Sequence, residues 1–591
     1  MGMTEAAEEK QPGSEVPTQA GSSPQDVSQR NGLVDAEKTD GHEPKTSDID
    51  DTSSETNTTD SRVSPAYEED RQQSSRPASH TLSRHVSETE NRDGFPNQRD
   101  PELGPDVMEK VDTTAPNPSD PNLVTWTGPD DPQIPKNWKF TKKWAAVFIV
   151  SLFALISPVS SSIVAPALET IADDLGISQS FEQNLTLSIF ILAFAIGPLV
   201  WGPLSELYGR VIVLQLVNLI YLFFNLGCGL ARTKGQLIAF RFLSGLGGSV
   251  SLAIGGGVLG DLFNAEDRGR ALSLYTLAPL LGPAIGPIAG AFITQNTTWR
   301  WAFYATTITD ALIQGAGIFF LQETHVPTLL LRKKQRLIKE TGNTNLHTPY
   351  DDPDRTIGKT LRIALARPFR MITTQVIVQA IAVYMLYVYG IVYIVLTSFP
   401  TLWSGAEPDG YGESLGIGGL NYISLGLGFF FGAQLCAPLQ DRMYVSLKRR
   451  NGGIGRPEYR VPMMIPGAFL LPTGLIIYGW SAEFKTHWIF PNIGAFCIAA
   501  ATTISFQCLQ SYLVDAYTRY AASAVAAGTV LRSLAGFGFP LFSPSLYDAL
   551  GLGWGNTLLA LLGVVLGWPG PYLLWRYGAA LRKRSPFAAG G

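Results

Sequence analysis

The sequence predicts an all-α membrane protein: twelve transmembrane helices in two six-helix pseudo-symmetric halves, preceded by a disordered cytoplasmic tail. Three observations carry that prediction. About twelve apolar stretches approach the twenty residues needed to cross the hydrocarbon core of a bilayer. Lys and Arg fall on alternate connections, roughly 27 on one side against about four on the other. The connection after the second stretch of each half repeats a Pro-Leu step followed by an acid and an arginine, GPLSELYGR at 202–210 and APLQDR at 437–442.

Of the 591 residues, 45% are hydrophobic and 16% charged, an average over two unlike regions. Residues 1–125 are read as the tail, rich in Ser, Thr, Pro, Asp and Glu. Its first 120 residues carry roughly 26 acids against 11 bases, so the net charge of -5 belongs to the tail and the remainder is basic. With one Tyr, one Phe and no Trp there, this segment cannot bury enough apolar surface to offset chain entropy. Ser74, Ser79 and Ser87 each follow an arginine by three residues (Arg71, Arg76, Arg84), which makes kinases candidate partners. The hydrophilic opening carries no secretory-signal pattern.

Some chemistries are not written in the chain. Cys228, Cys436, Cys497 and Cys508 fall in apolar runs, where they act as small hydrophobes, and no Cys/His spacing suits zinc, so no metal site is expected. No G-x-x-x-x-G-K-[ST] stretch offers a nucleotide cradle. Neither an enzyme, a bound cofactor nor a nucleic-acid partner is expected.

The N-terminal half spans 126–321. It opens with DDPQIPKNWKFTKKW at 130–144, where lysines and tryptophans meet an apolar run as at a cytoplasmic membrane surface. Its six spans are placed at roughly 144–166, 183–202, 211–230, 236–260, 271–293 and 299–321. A basic cytoplasmic linker occupies 322–371. The C-terminal half, 372–580, has spans at roughly 372–397, 419–439, 462–480, 489–513, 523–546 and 554–577, followed by a short tail, 581–591. The basic residues then place both termini in the cytoplasm.

The fifth span contains LAPLLGPAIGPIAG at 277–290, with Pro279, Pro283 and Pro287 at spacing four and Gly282, Gly286 and Gly290 on a neighbouring face. Prolines weaken one helix face and glycines admit a close neighbour, which fits either a kinked packing helix or a hinge that seals a cavity. Glu206 and Arg210 are four apart and can pair or engage helix ends. Ionisable residues inside spans are costly and face a cavity or a partner. Arg241, inside the fourth span, has no acid on its own helix before Asp261, so its partner lies elsewhere. Asp310 in the sixth span and Asp515 at the end of the tenth are candidates for proton coupling, although Asp515 also stands four residues from Arg519. The first span has no acid between Trp144 and Leu168. Arg532 fits either a cavity or a snorkel toward headgroups. Tyr384, Tyr387, Gln507 and Gln510 are candidate substrate-cavity residues; tyrosines also serve as interfacial anchors, and the seventh-span tyrosines divide between two faces.

Several of these stretches resemble signatures of the major facilitator superfamily. Gly202, Leu204, Glu206, Gly209 and Arg210 match its cytoplasmic loop, with Glu206 for the usual aspartate and Leu207 and Val211 where further bases are common. RFLSGLGGS at 241–249 is similar to its fourth-span signature. Gly282, Pro283 and Gly286 match the fifth-span signature of exporters, with Pro287 replacing a glycine. GPDDPQIPKNW, WRWAF, ETHVPTLLLRKK and SYLVDAYTRYAA resemble the fungal twelve-span drug:proton antiporter branch. The resemblance implies the major facilitator fold and transport-related roles for Glu206, Gly209, Arg210, Arg241, Gly282, Pro283 and Gly286. It also implies a monomer that exports a drug, toxin, secondary metabolite or polyamine by proton antiport, in the plasma membrane rather than the vacuole. An importing facilitator or proton symporter, or a membrane receptor signalling through the tail, are the alternatives.

Overall fold

The computed structural model describes residues 120–588 except 265–266, 352–355 and 408–409, and only the backbone of Arg268, Ile357 and Arg519. The tail phosphorylation sites and an Arg519 contact to Asp515 lie outside the described residues. Among the described residues the chain is helical, with one isolated bridge, Leu123 to His347, and no strand.

The spanning helices are numbered here in order. The N-terminal half contributes α1 (Phe140–Ser162), α2 (Ser180–Tyr208), α3 (Arg210–Leu230), α4 (Lys234–Leu262), α5 (Arg268–Asn296) and α6 (Arg300–Phe320). The C-terminal half contributes α7 (Val376–Ser404), α8 (Tyr422–Arg450), α9 (Met464–Glu483), α10 (Ile489–Ala516), α11 (521–550) and α12 (552–583). Ten runs among the described residues are long and apolar enough to cross a membrane, the last covering Ala521–Lys583. That run is two spans, because Gly551 has φ 70° and ψ 174°, outside the helical region. Just beyond it, the Leu552 and Gly553 N–H groups donate to Glu483 at 2.8 and 3.2 Å, which caps the start of α12. The sixth span, Arg300–Phe320, falls below the same apolarity because Thr306, Thr307, Thr309, Asp310 and Gln314 interrupt it. Twelve spans result, as the sequence predicts.

Two expectations change in detail. The turn between α2 and α3 does not begin at Gly202: α2 continues through Pro203 to Tyr208, and the whole turn is Gly209. The basic linker is not merely a polar loop, since Val326–Thr341 and Ile357–Thr374 are helices. The first has Pro327 in its opening turn and stops at Gly342, whose φ is 70°, the usual start and stop residues of a helix. The second packs against both α2 and α11, with Leu365 against the Ala195, Leu199 and Val530 cluster.

The approach to α1 is also ordered. Asp131 accepts from the Gln133 and Thr127 N–H groups and the Thr127 hydroxyl. Burial pulls its carboxyl up, but those hydrogen bonds outweigh it and hold the group below its usual value. Lys333 of the linker donates to the Thr125 carbonyl at 2.8 Å, which fastens this segment to the linker.

Candidate functional site

The two halves meet along α2 with α11 and α5 with α8. Below, the basic end is the end bearing the 202–210 turn, the linker and the connection from α8 to α9. Near the opposite end α5 is buried on two faces. Gly282, Gly286 and Gly290 face α1, where an added Cβ would meet backbone or side-chain atoms of Pro158, Val159, Ser162 and Ile163. Ser162 donates to the Gly282 carbonyl at 3.2 Å across that contact. Ala284 and Ala291 instead face Gly426 and Gly419, on α8 and the short helix before it. The glycine stripe therefore packs within its own half, while neighbouring alanines reach the other half; Pro283, next to Gly282, is half-buried. The reason is helical spacing: 282, 286 and 290 share a stripe that 284 and 291 do not.

Toward the basic end the contact between α5 and α8 is lost. Ala271 and Tyr275 are buried, with the Tyr275 hydroxyl donating to the Ser251 carbonyl on α4, while Leu272, Ser273, Leu274 and Thr276 are exposed. On α8, Cys436 and Gln440 are buried, whereas Gln434, Leu435, Ala437, Pro438 and Leu439 are exposed. Each helix is thus covered only along the stripe facing its own half. Exposure over so wide a face of both helices is what a cleft between the halves at this end produces.

Charged clusters flank that opening. In the N-terminal half Arg210, the first residue of α3, lies 3.9 Å from Glu206 and 3.5 Å from Asp261, and donates to the Ser205 hydroxyl at 2.7 Å. Glu323, after α6, accepts from the Arg210, Val211, Thr324 and His325 N–H groups at 2.9 to 3.2 Å. A carboxylate there satisfies the orphan donors at the start of α3 and complements its dipole. Gly209 makes the approach possible: its φ is 109°, and a Cβ would strike the Glu323 carboxylate.

In the C-terminal half the APLQDR repeat does not pair Asp441 with the adjacent Arg442. Instead Arg460, in the connection before α9, donates to Asp441 at 2.7 Å and to Asp515 at 3.0 Å. Asp515 is therefore part of a cluster that matches Asp261 by position, at the end of α10 as Asp261 is at the end of α4. Sequence reasoning missed Asp261, Glu323, Asp441 and Arg460 as members of these clusters. Glu323 stands in ETHVPTLLLRKK more than a hundred residues from Arg210, and no spacing rule joins Asp441 to an arginine nineteen residues away.

Arg241 is fully buried and, among the described residues, makes no ion pair with a carboxylate. Its guanidinium donates to the Ser160, Ser161, Thr186 and Leu187 carbonyls at 2.8 to 3.4 Å and lies 4.6 Å from the Phe190 ring centroid. Ser160 and Ser161 are in the last turn of α1, which stops before Pro166. Arg241 is thus a cation set on unsatisfied carbonyls at a helix C-terminus. It joins α4 to α1 and α2.

Asp310 is also buried, between α6 and α3. Its Oδ2 accepts from Asn218 Nδ2 at 2.7 Å, and its Oδ1 has no hydrogen-bond partner among the described residues. Asn218 also donates to Gln314, whose amide reaches the Gln215 carbonyl. Asp310 and Asp515 are not brought together.

Tyr384 and Tyr387 lie inside the C-terminal half rather than on the seam. The Tyr387 hydroxyl donates to the Leu559 carbonyl of α12 at 2.7 Å, and the Tyr384 hydroxyl is 3.5 Å from Ser505 of α10. The other two tyrosines of α7, Tyr389 and Tyr393, are a pair with centroids 5.2 Å apart. A Cβ at Gly536 of α11 would touch both Tyr389 and Ile191 of α2, which puts Tyr389 at the seam. Gln510 is exposed, and the Oε1 of half-buried Gln507 has no hydrogen-bond partner among the described residues. A separate groove lined by Leu219, Phe223, Phe224 and Phe240 lies between α3 and α4; its lining is apolar, so it has no group with which to orient a polar ligand.

The Major Facilitator Superfamily profile matches residues 150–540. The chain is 51% identical to "Efflux pump vrtL" of Penicillium aethiopicum over 83% of this chain and 96% of that one. It is 42% identical to "Efflux pump radE" of Floropilus chiversii, covering 79% of this chain and 86% of that one. Among solved structures it is similar to the xylose transporter XylE from E. coli in a partially occluded inward open conformation. That match has a TM-score of 0.55 and 16% identity, and covers 74% of this chain and 98% of the other. The profile, the fungal relatives and the two-half bundle agree: the chain belongs to the major facilitator superfamily and is an integral, multi-pass membrane transporter, not an enzyme.

Proposed function

We propose that the protein exports a small organic molecule by proton antiport, with its two halves rocking about a site at their seam. The observation that carries this reading is the cleft between α5 and α8, closed at one end and open at the basic end. A bundle built this way can expose one site to either side in turn. The basic connections favour placing the open end and both termini in the cytoplasm, so a substrate enters the cleft from inside the cell. Relatives named as efflux pumps support outward transport. We place it in the plasma membrane rather than the vacuole, with the monomer as the working unit.

Asp310 is the proposed proton-binding group. It is buried, no ion pair reaches it among the described residues, and one of its oxygens is unpartnered. Asp515 is engaged by Arg460 and belongs to the conformational cluster instead. The test is efflux from loaded proteoliposomes under an imposed pH gradient. Efflux should accelerate when protons can flow inward against the leaving substrate. Efflux indifferent to both pH gradient and membrane potential would end the antiport reading.

A further inference from the structure

We infer that Arg532 is the substrate-binding cation of the seam, and that it selects an organic anion: an apolar or aromatic body bearing a carboxylate or phenolate. The inference deepens the proposed export function and rests on it for the identity of the ligand as cargo.

Arg532 is on α11, eleven residues after its start, about 17 Å along the helix axis. A snorkelling arginine would extend along α11 toward the basic end. Instead its guanidinium lies against neighbouring helices, 4.7 Å from the Phe506 centroid on α10 and 5.3 Å from the Tyr389 centroid on α7. Among the described residues it has no ion pair and no hydrogen bond, and its Nε is buried without a partner. Arg241 offers the contrast, since its charge is fully occupied by four carbonyls.

An uncompensated cation at this depth is costly, and charges inside spans face a cavity or a partner. Aromatic rings stabilise the guanidinium through its faces but satisfy none of its in-plane N–H donors. Those donors form a fork that matches a carboxylate. The neighbourhood suits the rest of such a ligand. Tyr393 extends the aromatic surface from Tyr389, and Gln507, next to Phe506, leaves its amide oxygen unpartnered. Gly536, one turn from Arg532, sits against Ile191 of the other half, so the cation is adjacent to the surface along which the halves meet. A ligand held there would touch a boundary that rearranges as the halves rock. Cationic drugs and polyamines, by the same argument, are repelled.

The experiment is equilibrium binding to the purified full-length protein in nanodiscs, with empty nanodiscs as the partition control. The probes share one ring system: 2-naphthoic acid, methyl 2-naphthoate and 2-naphthylmethylamine. The wild type should bind the acid about tenfold more tightly than the ester or the amine. Arg532→Gln should erase that preference while ester binding stays within about twofold, and Arg532→Lys should keep part of it. Absence of an acid preference in the wild type, including no binding of any probe, would overturn the inference. So would equal loss of acid and ester in Arg532→Gln, which marks a structural arginine. The assay needs no gradient, so it can fail while proton-driven efflux is observed, and it can succeed where antiport fails.

Discussion

In the N-terminal half, Arg210 opens α3 directly after a one-residue turn, and Glu323 holds the start of α3 through the Arg210 and Val211 N–H groups while also accepting from its own neighbours Thr324 and His325. In the C-terminal half, Arg460 lies in the connection ahead of α9 and reaches two acids through its side chain alone. The charges correspond helix for helix: Glu206, Arg210 and Asp261 at α2, α3 and α4; Asp441, Arg460 and Asp515 at α8, α9 and α10. Their settings do not. Backbone capping fixes the first cluster to the fold, whereas Asp441 is 71% exposed and its pair with Arg460 is weakened by solvent. The difference teaches that the N-terminal half is the rigid reference and the C-terminal cluster the part that can release. The cations inside the spans divide the same way, with Arg241 committed to structure in the N-terminal half and Arg532 left for a ligand in the C-terminal half.

The largest expected effect comes from Arg241→Ala. It removes the donors to four buried carbonyls and uncaps α1, which should destabilise the protein by about 4 kcal/mol in thermal unfolding. Transport loss in that variant then reflects folding, not lost chemistry. A variant with wild-type stability would erase the contrast with Arg532.

Glu323→Ala comes next, at about 3 kcal/mol, because two N–H groups at the half-buried start of α3 and two buried ones beside Glu323 itself lose a charged acceptor. A loss no larger than that of an exposed ion pair would make the two clusters equivalent. Gly209→Ala should cost about 2 kcal/mol, from a φ of 109° and the clash with Glu323. In the connection from α8 to α9, Gly452 and Gly453 also have positive φ, but a Cβ there would meet no neighbour within 4 Å, so the clash belongs to the N-terminal half alone. Both are read as shifts in the melting temperature of the purified protein.

Most spans were legible because a bilayer imposes length and apolarity on each; for the more polar α6 and the continuous α11–α12 run, the alternation of basic connections supported the count. Gly209 and Arg210 were legible because the turn is a continuous motif. Glu323 and Arg460 were not, since each acts across more than fifteen residues through contacts that only the packed bundle creates. Tyr384 and Tyr387 were chosen by residue type, but helical phase decides which tyrosines of α7 reach the seam, and phase at a helix with buried residues all round is not marked in the sequence. The glycines at 282, 286 and 290 showed that α5 is closely packed. They could not show that the near neighbour is α1.

The smallest effect discriminates most directly between the repeat as written and the repeat as folded. If APLQDR worked as GPLSELYGR does, Arg442 would be the partner of Asp441, and Arg442→Ala would be the damaging change. In the structure Arg442 is exposed and Arg460 makes both contacts. Arg460→Ala should therefore cost about 1 kcal/mol, and Arg442→Ala close to nothing. A double-mutant cycle refines the point: coupling of Arg460 to the less exposed Asp515 should approach about 1 kcal/mol, while coupling to Asp441 stays below about 0.5. Coupling of Asp441 to Arg442 instead would show that the second half closes by the same local turn as the first. With Arg460 as the partner, Asp441 on α8 and Asp515 at the end of α10 are tied through one guanidinium. A small displacement of the connection before α9 then loosens both at once.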